Sequence, residues 1–223
     1  MKILINCSNL FFISAIIFCF ISCKKPDPGI VAKGETKVKM INATLTESKQ
    51  DIFIDGAKLS TAALEFAETS DYLKISSGNR KVKFMGTTNI ATESAINFIP
   101  SITYSTFLVS DRTGTREIIS FEDNLSNTEA GKAKIKFINL TPGFITGINV
   151  SVQAGTQFVN GLLFKEASTY FSVDPDLNLR YNVVGSGNIK TIENTNFVAG
   201  KIYTIWFSGT TTANLMAHVV ADN

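Results

Sequence analysis

The chain is poor in the residues that most often build reactive sites. Its 223 residues include one histidine (His218), one tryptophan (Trp206) and three cysteines, and all three cysteines lie within the first 23 residues. A lone histidine cannot form a zinc site without three further ligands, and no motif places a serine or cysteine beside it as a nucleophile. The sequence also lacks a Gly-x-Ser-x-Gly elbow, a P-loop, a dinucleotide fingerprint and a His-Glu-x-x-His motif. We therefore expect no enzyme activity and no cofactor.

The chain also lacks an excess of charge of either sign. It has 21 basic and 19 acidic residues, for a formal net charge of +2. Nucleic-acid binding needs clustered Lys and Arg that displace counterions from phosphates. The near-neutral balance therefore argues against a nucleic-acid partner.

The N-terminus has the features of an export signal. Lys2 precedes an apolar stretch over residues 10–21, which is shorter than the ~20 apolar residues that span a bilayer. The next residues, Phe20-Ile21-Ser22-Cys23, resemble the lipobox of bacterial lipoproteins, although the family pattern prefers Leu where Phe20 stands. The resemblance implies a signal peptide over residues 1–22 and lipidation of Cys23. The alternative is an ordinary cleaved signal with an incidental cysteine.

The residues after Cys23 have the composition of a tether. Pro26 and Pro28 favour an extended backbone, and residues 23–34 are therefore predicted to connect a lipid anchor to the folded part. Because the other two cysteines, Cys7 and Cys19, fall in the leader, the mature domains have no disulfide and no cysteine metal site.

The rest of the chain repeats itself. The pattern F-x-E-x-S-x-Y occurs at residues 66–72 and again at residues 164–170, a shift of 98 (164 − 66). The flanking sequences agree: Lys-Val-Lys-Met-Ile-Asn at 37–42 matches Lys-Ile-Lys-Phe-Ile-Asn at 134–139, and both copies end in Asp-Asn, at 123–124 and 222–223. A repeat of this length is the size of one small domain. We therefore expect two tandem domains, at 35–124 and 133–223, joined by a polar linker at 125–132.

Short alternating segments bounded by turn residues predict β-strands in both copies. The predicted strands are 37–42, 51–56, 71–75, 81–85, 102–109 and 117–121 in the first copy, and 134–140, 147–152, 170–173, 177–184, 202–207 and 215–220 in the second. Residues 61–66 favour one short helical turn. About seven short strands per copy, without a long amphipathic helix, predict an all-β protein of two tandem immunoglobulin-like antiparallel β-sandwich domains.

Several of these segments resemble the domain-of-unknown-function 4397 family. The matching segments of the first copy are Ile41-Asn42-Ala43, residues 50–56, the F-x-E-x-S-x-Y segment and Tyr104-Ser105. The second copy keeps the segments at 138–139, 164–170 and 203–204 but departs at 147–152, where the Asp-Gly strand of the family is missing. The resemblance implies an immunoglobulin-like lipoprotein domain of Bacteroidota-type bacteria, with no assigned activity and no site residues.

Two polar segments could form sites, but each has a simpler structural explanation. Asp174-Pro175-Asp176 imitates the start of a calcium loop, yet Leu179 and Gly185 stand where that loop needs Gly and Glu, so a β-turn is favoured. His218 is expected on a strand, facing a loop or solvent.

The repeated motif residues are also expected to act locally. Glu68 and Glu166 occupy equivalent places and could form a paired acidic site, but a local role is favoured, with Ser70 and Ser168 bonding nearby backbone. Their neighbours Tyr72 and Tyr170 are expected to pack their rings and hydrogen-bond a loop, as in a tyrosine corner.

The aromatic residues near the end of the chain leave two functions open. Trp206 and Tyr203 could stack on a sugar, but Phe107 holds the equivalent place in the first copy, which favours packing for Trp206. We expect a non-enzymatic, lipid-anchored structural or protein-binding module of the cell envelope, in the outer membrane of a Gram-negative bacterium. The alternative is a carbohydrate-binding surface lipoprotein; an envelope protein or a glycan would be the respective partner.

Overall fold

The computed structural model describes residues 34–45, 49–88, 90–126, 129–153, 155–193 and 195–223. Within these ranges all regular secondary structure is β-strand. The predicted signal peptide (1–22), Cys23 and nearly all of the predicted tether (23–34) lie outside the described residues. None of the residues that the structure describes forms a helix able to cross a membrane.

The first half of the fold has eight strands in two sheets. They are β1 (Glu35–Asn42), β2 (Gln50–Ile54), β3 (Ala57–Lys58), β4 (Leu73–Ser76), β5 (Gly78–Gly86), β6 (Ala91–Phe98), β7 (Thr103–Ser110) and β8 (Arg116–Asp123). The first contact sheet has the strand order β4-β1-β7-β8, and the first outer sheet has the order β3-β2-β5-β6. Apolar side chains from both sheets, such as Met40 of β1 and Phe84 of β5, form one buried core between them.

The second half has the same plan. Its strands are β9 (Ala133–Asn139), β10 (Ile148–Val152), β11 (Gln157–Leu162), β12 (Phe171–Val173), β13 (Leu179–Val183), β14 (Lys190–Thr191), β15 (Ile202–Ser208) and β16 (Met216–Ala221). The second contact sheet has the order β12-β9-β15-β16, and the second outer sheet has the order β11-β10-β13-β14. A separate core, with Phe137 and Phe207 among its members, fills the space between them. These observations confirm the expected all-β sandwich fold class.

Strand pairing is antiparallel except at the centre of each contact sheet. There β1 pairs in parallel with β7, and β9 pairs in parallel with β15. Parallel pairs are normally found where both faces of a sheet are covered, and every residue of β15 is buried. The parallel pair therefore marks the strands that lie between two layers of protein.

The sequence prediction missed β6, β11 and the two-residue strands β3 and β14, and it placed a helical turn where none forms. In β6 the side chains that face inward include Thr92 and Ser94, so the apolar alternation is weak. In β11 the residue Gly161 has a positive φ of 69° and interrupts the pattern at an irregular register. Residues 61–66 hold an isolated β-bridge at Leu64 in place of the expected helical turn, because its backbone pairs with Gln50.

The two contact sheets pack against each other through the faces that point away from their own cores. Side chains from β1 and β7 join side chains from β9 and β15 in a third buried cluster, made of Ile41, Ala43, Phe107, Val109, Ile138, Leu140 and Trp206. The four sheets therefore form four layers, with the third cluster at the middle. We call the two surfaces that meet there the shared face.

Candidate functional site: the face shared by the two halves

Two ion pairs cross the shared face, and they are equivalent. Lys39 Nζ of the first half lies 2.9 Å from Asp222 Oδ1 of the second, and Lys136 Nζ of the second half lies 2.6 Å from Asp123 Oδ1 of the first. The shifts between equivalent residues are 97 (136 − 39) and 99 (222 − 123). None of the four side chains is more than 5% exposed. Each half therefore gives one buried lysine and one buried carboxylate to the other.

Strand alternation places the lysines at the shared face. In β1, Val38 and Met40 point into the core of the first half, so Lys39 and Ile41 must point the opposite way. The long stem of Lys39 is buried, and its ammonium also donates to the carbonyl of Ala221 at 2.9 Å. The Lys136 ammonium likewise donates a hydrogen bond to the carbonyl of Glu122 at 3.0 Å. Because each ammonium has a carboxylate and a carbonyl as acceptors, both charges are well satisfied despite burial.

The carboxylates are held by hydroxyl donors from the neighbouring strand. Asp123 accepts from Ser105 Oγ at 2.8 Å, and Asp222 accepts from Thr204 Oγ1 at 2.7 Å. The hydroxyl of Tyr72 donates to Asp123 Oδ2 at 2.9 Å and lies 3.4 Å from Asp222 Oδ1. Burial raises the pKa of Asp222 above its usual 3.8, and the ammonium of Lys39 opposes that shift.

The two tyrosines of the repeated motif cover the lysines. The Lys39 ammonium lies 4.3 Å from the ring centroid of Tyr72, and the Lys136 ammonium lies 5.1 Å from that of Tyr170. Burial, together with the nearby carboxylates, raises the pKa of both phenols. Tyr170 accepts a hydrogen bond from the backbone N–H of Asn124 at 3.2 Å, whereas Tyr72 bonds to a carboxylate. The predicted loop contact is therefore present at Tyr170, and Tyr72 serves the ion pairs.

Aromatic rings fill the centre of the shared face. Trp206 is fully buried, lies 6.0 Å from Phe107 of the other half, and stacks on His218 at 4.0 Å between ring centroids. His218 Nε2 is 2.8 Å from Ser208 Oγ. Burial lowers the pKa of His218 from 6.5 to about 4, so this imidazole is neutral at pH 7. The expectation that His218 faces a loop or solvent is borne out in part: the side chain is half-buried, and its ring lies 5.4 Å from that of Phe66, in a turn of the first half.

The structure does not support sugar stacking by Trp206 and Tyr203, because both rings are buried. Trp206 has no exposed surface, and Tyr203, which is 9% exposed, points into the core of the second half. Alternation does place the two rings on opposite faces of β15, as predicted, but both faces are covered. The packing role expected for Trp206 is confirmed, and its equivalent residue Phe107 is also its contact.

The motif residues act locally, as expected. Glu68 Oε2 accepts from the backbone N–H of Glu65 at 2.7 Å, and Glu166 Oε2 accepts from that of Leu163 at 2.8 Å. Each bond closes the turn before the motif serine. These two carboxylates therefore serve separate turns.

The motif serines also bond to backbone. Ser70 accepts from Met40 N, and Ser168 accepts from Phe137 N, each at 2.9 Å. The serines thus fix the motif segments to β1 and β9, the strands that carry the buried lysines.

A hydrogen bond of the tyrosine-corner kind lies at another pair of residues. Tyr104 OH accepts from Ile99 N at 3.2 Å, and Tyr203 OH accepts from Val198 N at 3.1 Å. Each tyrosine is the second residue of its strand, β7 or β15, and each ring packs edge-on against a phenylalanine, Phe98 or Phe197 respectively. The sequence contained the signal, because Tyr104 and Tyr203 align in the repeat.

The remaining acidic segment is a turn. Pro175 and Asp176 form the turn between β12 and β13, and Asp176 has a positive φ of 65°. Asp174 pairs with Lys132 at 2.6 Å on the surface. Among the described residues no group of three His, Cys, Asp or Glu side chains could hold a metal ion.

Fold and shared face together define a class of protein: a β-sandwich protein whose two halves meet through one sheet face of each. Residues 36–146 match the model of a family described as "Domain of unknown function (DUF4397)", and over these residues the chain belongs to that family. The matched segment runs past β8 and includes β9, the second-half strand that faces the first half.

Other comparisons add little. The chain has no match among the curated proteins. Among solved structures it is similar to the crystal structure of a "putative cell adhesion protein" from Bacteroides uniformis ATCC 8492, with 12% identity and a TM-score of 0.27 over 86% of this chain and 98% of that chain. A TM-score this low does not establish a shared fold.

Proposed function

We propose that the chain is a non-enzymatic lipoprotein of the cell envelope that works as a structural or protein-binding module. In this proposal residues 1–22 are the signal peptide, Cys23 carries the lipid, and residues 23–34 are the tether. The folded part consists of duplicated domains at 35–124 and 133–223 joined by residues 125–132. Support comes from the lipobox-like segment and from the matching strand order of the two halves.

We call the end of the structure at Gly34, the first described residue, the near end, and the opposite end the far end. Gly34 lies at the near end, where its carbonyl accepts from Ser77 N beside the start of β1. The two halves run in the same direction. Lys134, near the start of β9, donates to the carbonyl of Asn124, which follows β8 at the near end, whereas Arg112 beyond β7 donates to the carbonyl of Gly143 beyond β9. The loops that follow β1, β5, β7, β9 and β13 therefore lie together at the far end.

Exposed apolar side chains concentrate at that far end, and this observation carries the proposal. Among the described residues the large hydrophobic side chains that are exposed at the far end are Leu45, Ile90, Ile145, Leu163, Ile189 and Met216, and those at the near end are Ile99 and Val198. Ile145 is the most exposed, at 76%. Loops at one end of a rigid scaffold commonly carry binding function, and clustered exposed apolar groups are typical of protein contacts. We therefore assign the partner-binding surface to the far end, with an apolar protein surface as the partner.

Crosslinking in intact cells tests the binding proposal. The wild type and the double variant Ile145→Asp/Ile189→Asp would be crosslinked in cells, purified, and their captured proteins identified by mass spectrometry. We expect a defined set of envelope proteins that is lost from the far-end variant. The matched control is Ile99→Asp/Val198→Asp, which makes the same change at the near end and should leave capture unchanged. Equal capture by all three proteins would contradict the assignment.

Metabolic labelling with an alkyne fatty acid tests the anchor. The wild type should be labelled and should fractionate with outer membranes, whereas Cys23→Ala should be unlabelled. Cys19→Ala is the matched control, because it removes a leader cysteine and should label like the wild type. Equal labelling of Cys23→Ala and wild type would contradict lipidation at Cys23.

A further inference from the structure

The shared face is built from equivalent residues of the two halves. We call the part of the shared face that holds the two ion pairs the rim. Each half contributes a lysine, an aspartate and a hydroxyl to it, and these are Lys39, Asp123 and Ser105 in the first half and Lys136, Asp222 and Thr204 in the second. The register is also shared: Ile41 lies opposite Phe107 in the first contact sheet, as Ile138 lies opposite Trp206 in the second. Such a contact has the reciprocity of a two-fold interface, in which each side meets the same set of groups.

The sizes of the central side chains differ between the halves, and the differences run in both directions. The first half has the smaller group at Ala43 and Phe107, where the second half has Leu140 and Trp206. It has the larger group at Val109 and Phe121, where the second half has Ser208 and Val220. Two identical halves brought together through this face would therefore leave space at some positions and overcrowd others. Shape thus favours the pairing of a first half with a second half.

We propose that the contact face of each half is a binding site for the opposite half, whether that half belongs to the same chain or to a second copy of this chain. Within one chain a short linker holds the halves at a high effective concentration, so pairing within the chain dominates in dilute solution. Between two chains the halves can exchange and keep every contact, since first still meets second at both interfaces. This goes beyond the proposed envelope role, because it names a partner that the chain itself supplies.

Charge reversal turns the exchange into a test. Lys39→Asp places a carboxylate against Asp222 within its own chain, and Asp222→Lys places an ammonium against Lys39. When the two variants are co-refolded, exchange pairs Asp at 39 with Lys at 222 at one interface and wild-type Lys39 with Asp222 at the other. Every pair is then of opposite charge, although neither chain can achieve this alone.

The expected result is a dimer of twice the chain mass in the mixture, measured by light scattering after size-exclusion chromatography, and none in either variant alone. Tryptophan emission of the mixture should return to the wild-type wavelength, because Trp206 is buried again. Lys37→Asp is the matched control, since Lys37 lies on the same strand but is exposed. A mixture without the dimer, or a Lys39→Asp monomer with wild-type emission, would overturn the proposal.

A second experiment applies if the reversed chains precipitate. A protease site inserted within residues 125–132 of the otherwise wild-type chain would be cleaved after folding. We expect the two fragments to co-elute, and the same cleaved protein carrying Lys37→Asp to behave alike. Since loss of one member of a buried charge pair weakens association by about 100-fold or more, Lys39→Ala should release the fragments. Separation of the cleaved wild-type fragments at micromolar concentration would overturn the proposal.

Discussion

The two halves contribute the same kinds of residue to the rim of the shared face but different kinds of residue to its centre. At the rim the halves contribute the same chemistry, and a lysine, an aspartate, a hydroxyl and a tyrosine recur at equivalent places. At the centre the first half has Phe107, Ile119 and Val109, whereas the second has Trp206, His218 and Ser208. The comparison shows that the rim fixes the alignment of the two halves, while the centre determines which half fits which.

The largest effect should come from breaking the rim. Asp123→Ala would leave the buried ammonium of Lys136 without its carboxylate, Ser105 would lose its acceptor, and Tyr72 would lose the nearer of its two acceptors. Removing one partner of a buried ion pair typically costs about 3–5 kcal/mol, which urea unfolding would measure. The matched control is Asp174→Ala, because Asp174 also lies 2.6 Å from a lysine but is 72% exposed. That control should cost under about 1 kcal/mol. Similar losses for both variants would contradict the assignment of the rim.

Exchanging the rings of Phe107 and Trp206 tests whether ring size determines how the two halves fit at the centre of the shared face. Phe107→Trp should overcrowd the shared face and destabilise it by about 1–3 kcal/mol. Trp206→Phe leaves space, but it also removes an indole N–H that has no acceptor among the described residues, so its cost should be smaller. The double variant restores one large and one small ring, so its loss should be less than the sum of the single losses in unfolding experiments. Additive losses would show that the two rings do not share a space.

The polar pair at the centre predicts a pH dependence that belongs to the second half alone. The folded-state pKa of His218 lies below its unfolded value, so its contribution to stability is complete above pH 6.5 and is lost as pH falls towards 4. Between pH 7 and pH 5 we expect the wild type to lose about 1–2 kcal/mol from this residue.

The variant His218→Ile/Ser208→Val copies the first half, which has Ile119 and Val109 at these places. Buried Asp222 faces the same interface and its raised pKa acts in the opposite direction, so the measured quantity is the difference between wild type and variant. The stability of the variant should fall less than that of the wild type over this range. Parallel pH profiles would contradict the half-buried, neutral state of His218.

The smallest effect should come from the motif glutamates. Glu68→Ala and Glu166→Ala each remove one hydrogen bond to a turn N–H, at 2.7 and 2.8 Å, and both glutamates are exposed. We expect each to cost about 0.5–1.5 kcal/mol in thermal or urea unfolding, and the two costs to agree closely. A much larger loss at one site would show that the two turns are not equivalent.

Local patterns in the sequence predicted most strands but could not predict what covers them. The alternation of Lys39 with Val38 and Met40 is that of a strand with a solvated face, and only the second half turns that face into an interior. The repeat did carry a signal, because Lys39 and Lys136 align, as do Asp123 and Asp222. The pairing across halves could not be inferred, since a lysine at a strand centre is usually exposed.

The roles of the aromatic residues were predictable where they depend on alternation and not where they depend on packing between layers. Trp206 was correctly assigned to packing because Phe107 aligns with it. His218 was expected to face a loop or solvent, and nothing in its own strand shows that Phe66 and Trp206 lie against its ring. The weakly alternating strand β6 was missed for a related reason: it forms by pairing with β5, which is a contact outside its own sequence.

The most direct test of the account uses Trp206, because it is the only tryptophan and lies within the shared face. Its emission and the far-UV circular dichroism would be followed together through urea unfolding of the wild type and of Asp123→Ala. We predict one coincident transition for the wild type and, in the variant, exposure of Trp206 before the strands are lost. A wild type in which Trp206 becomes exposed well before the circular dichroism changes would contradict the claim that the two halves are locked through this face.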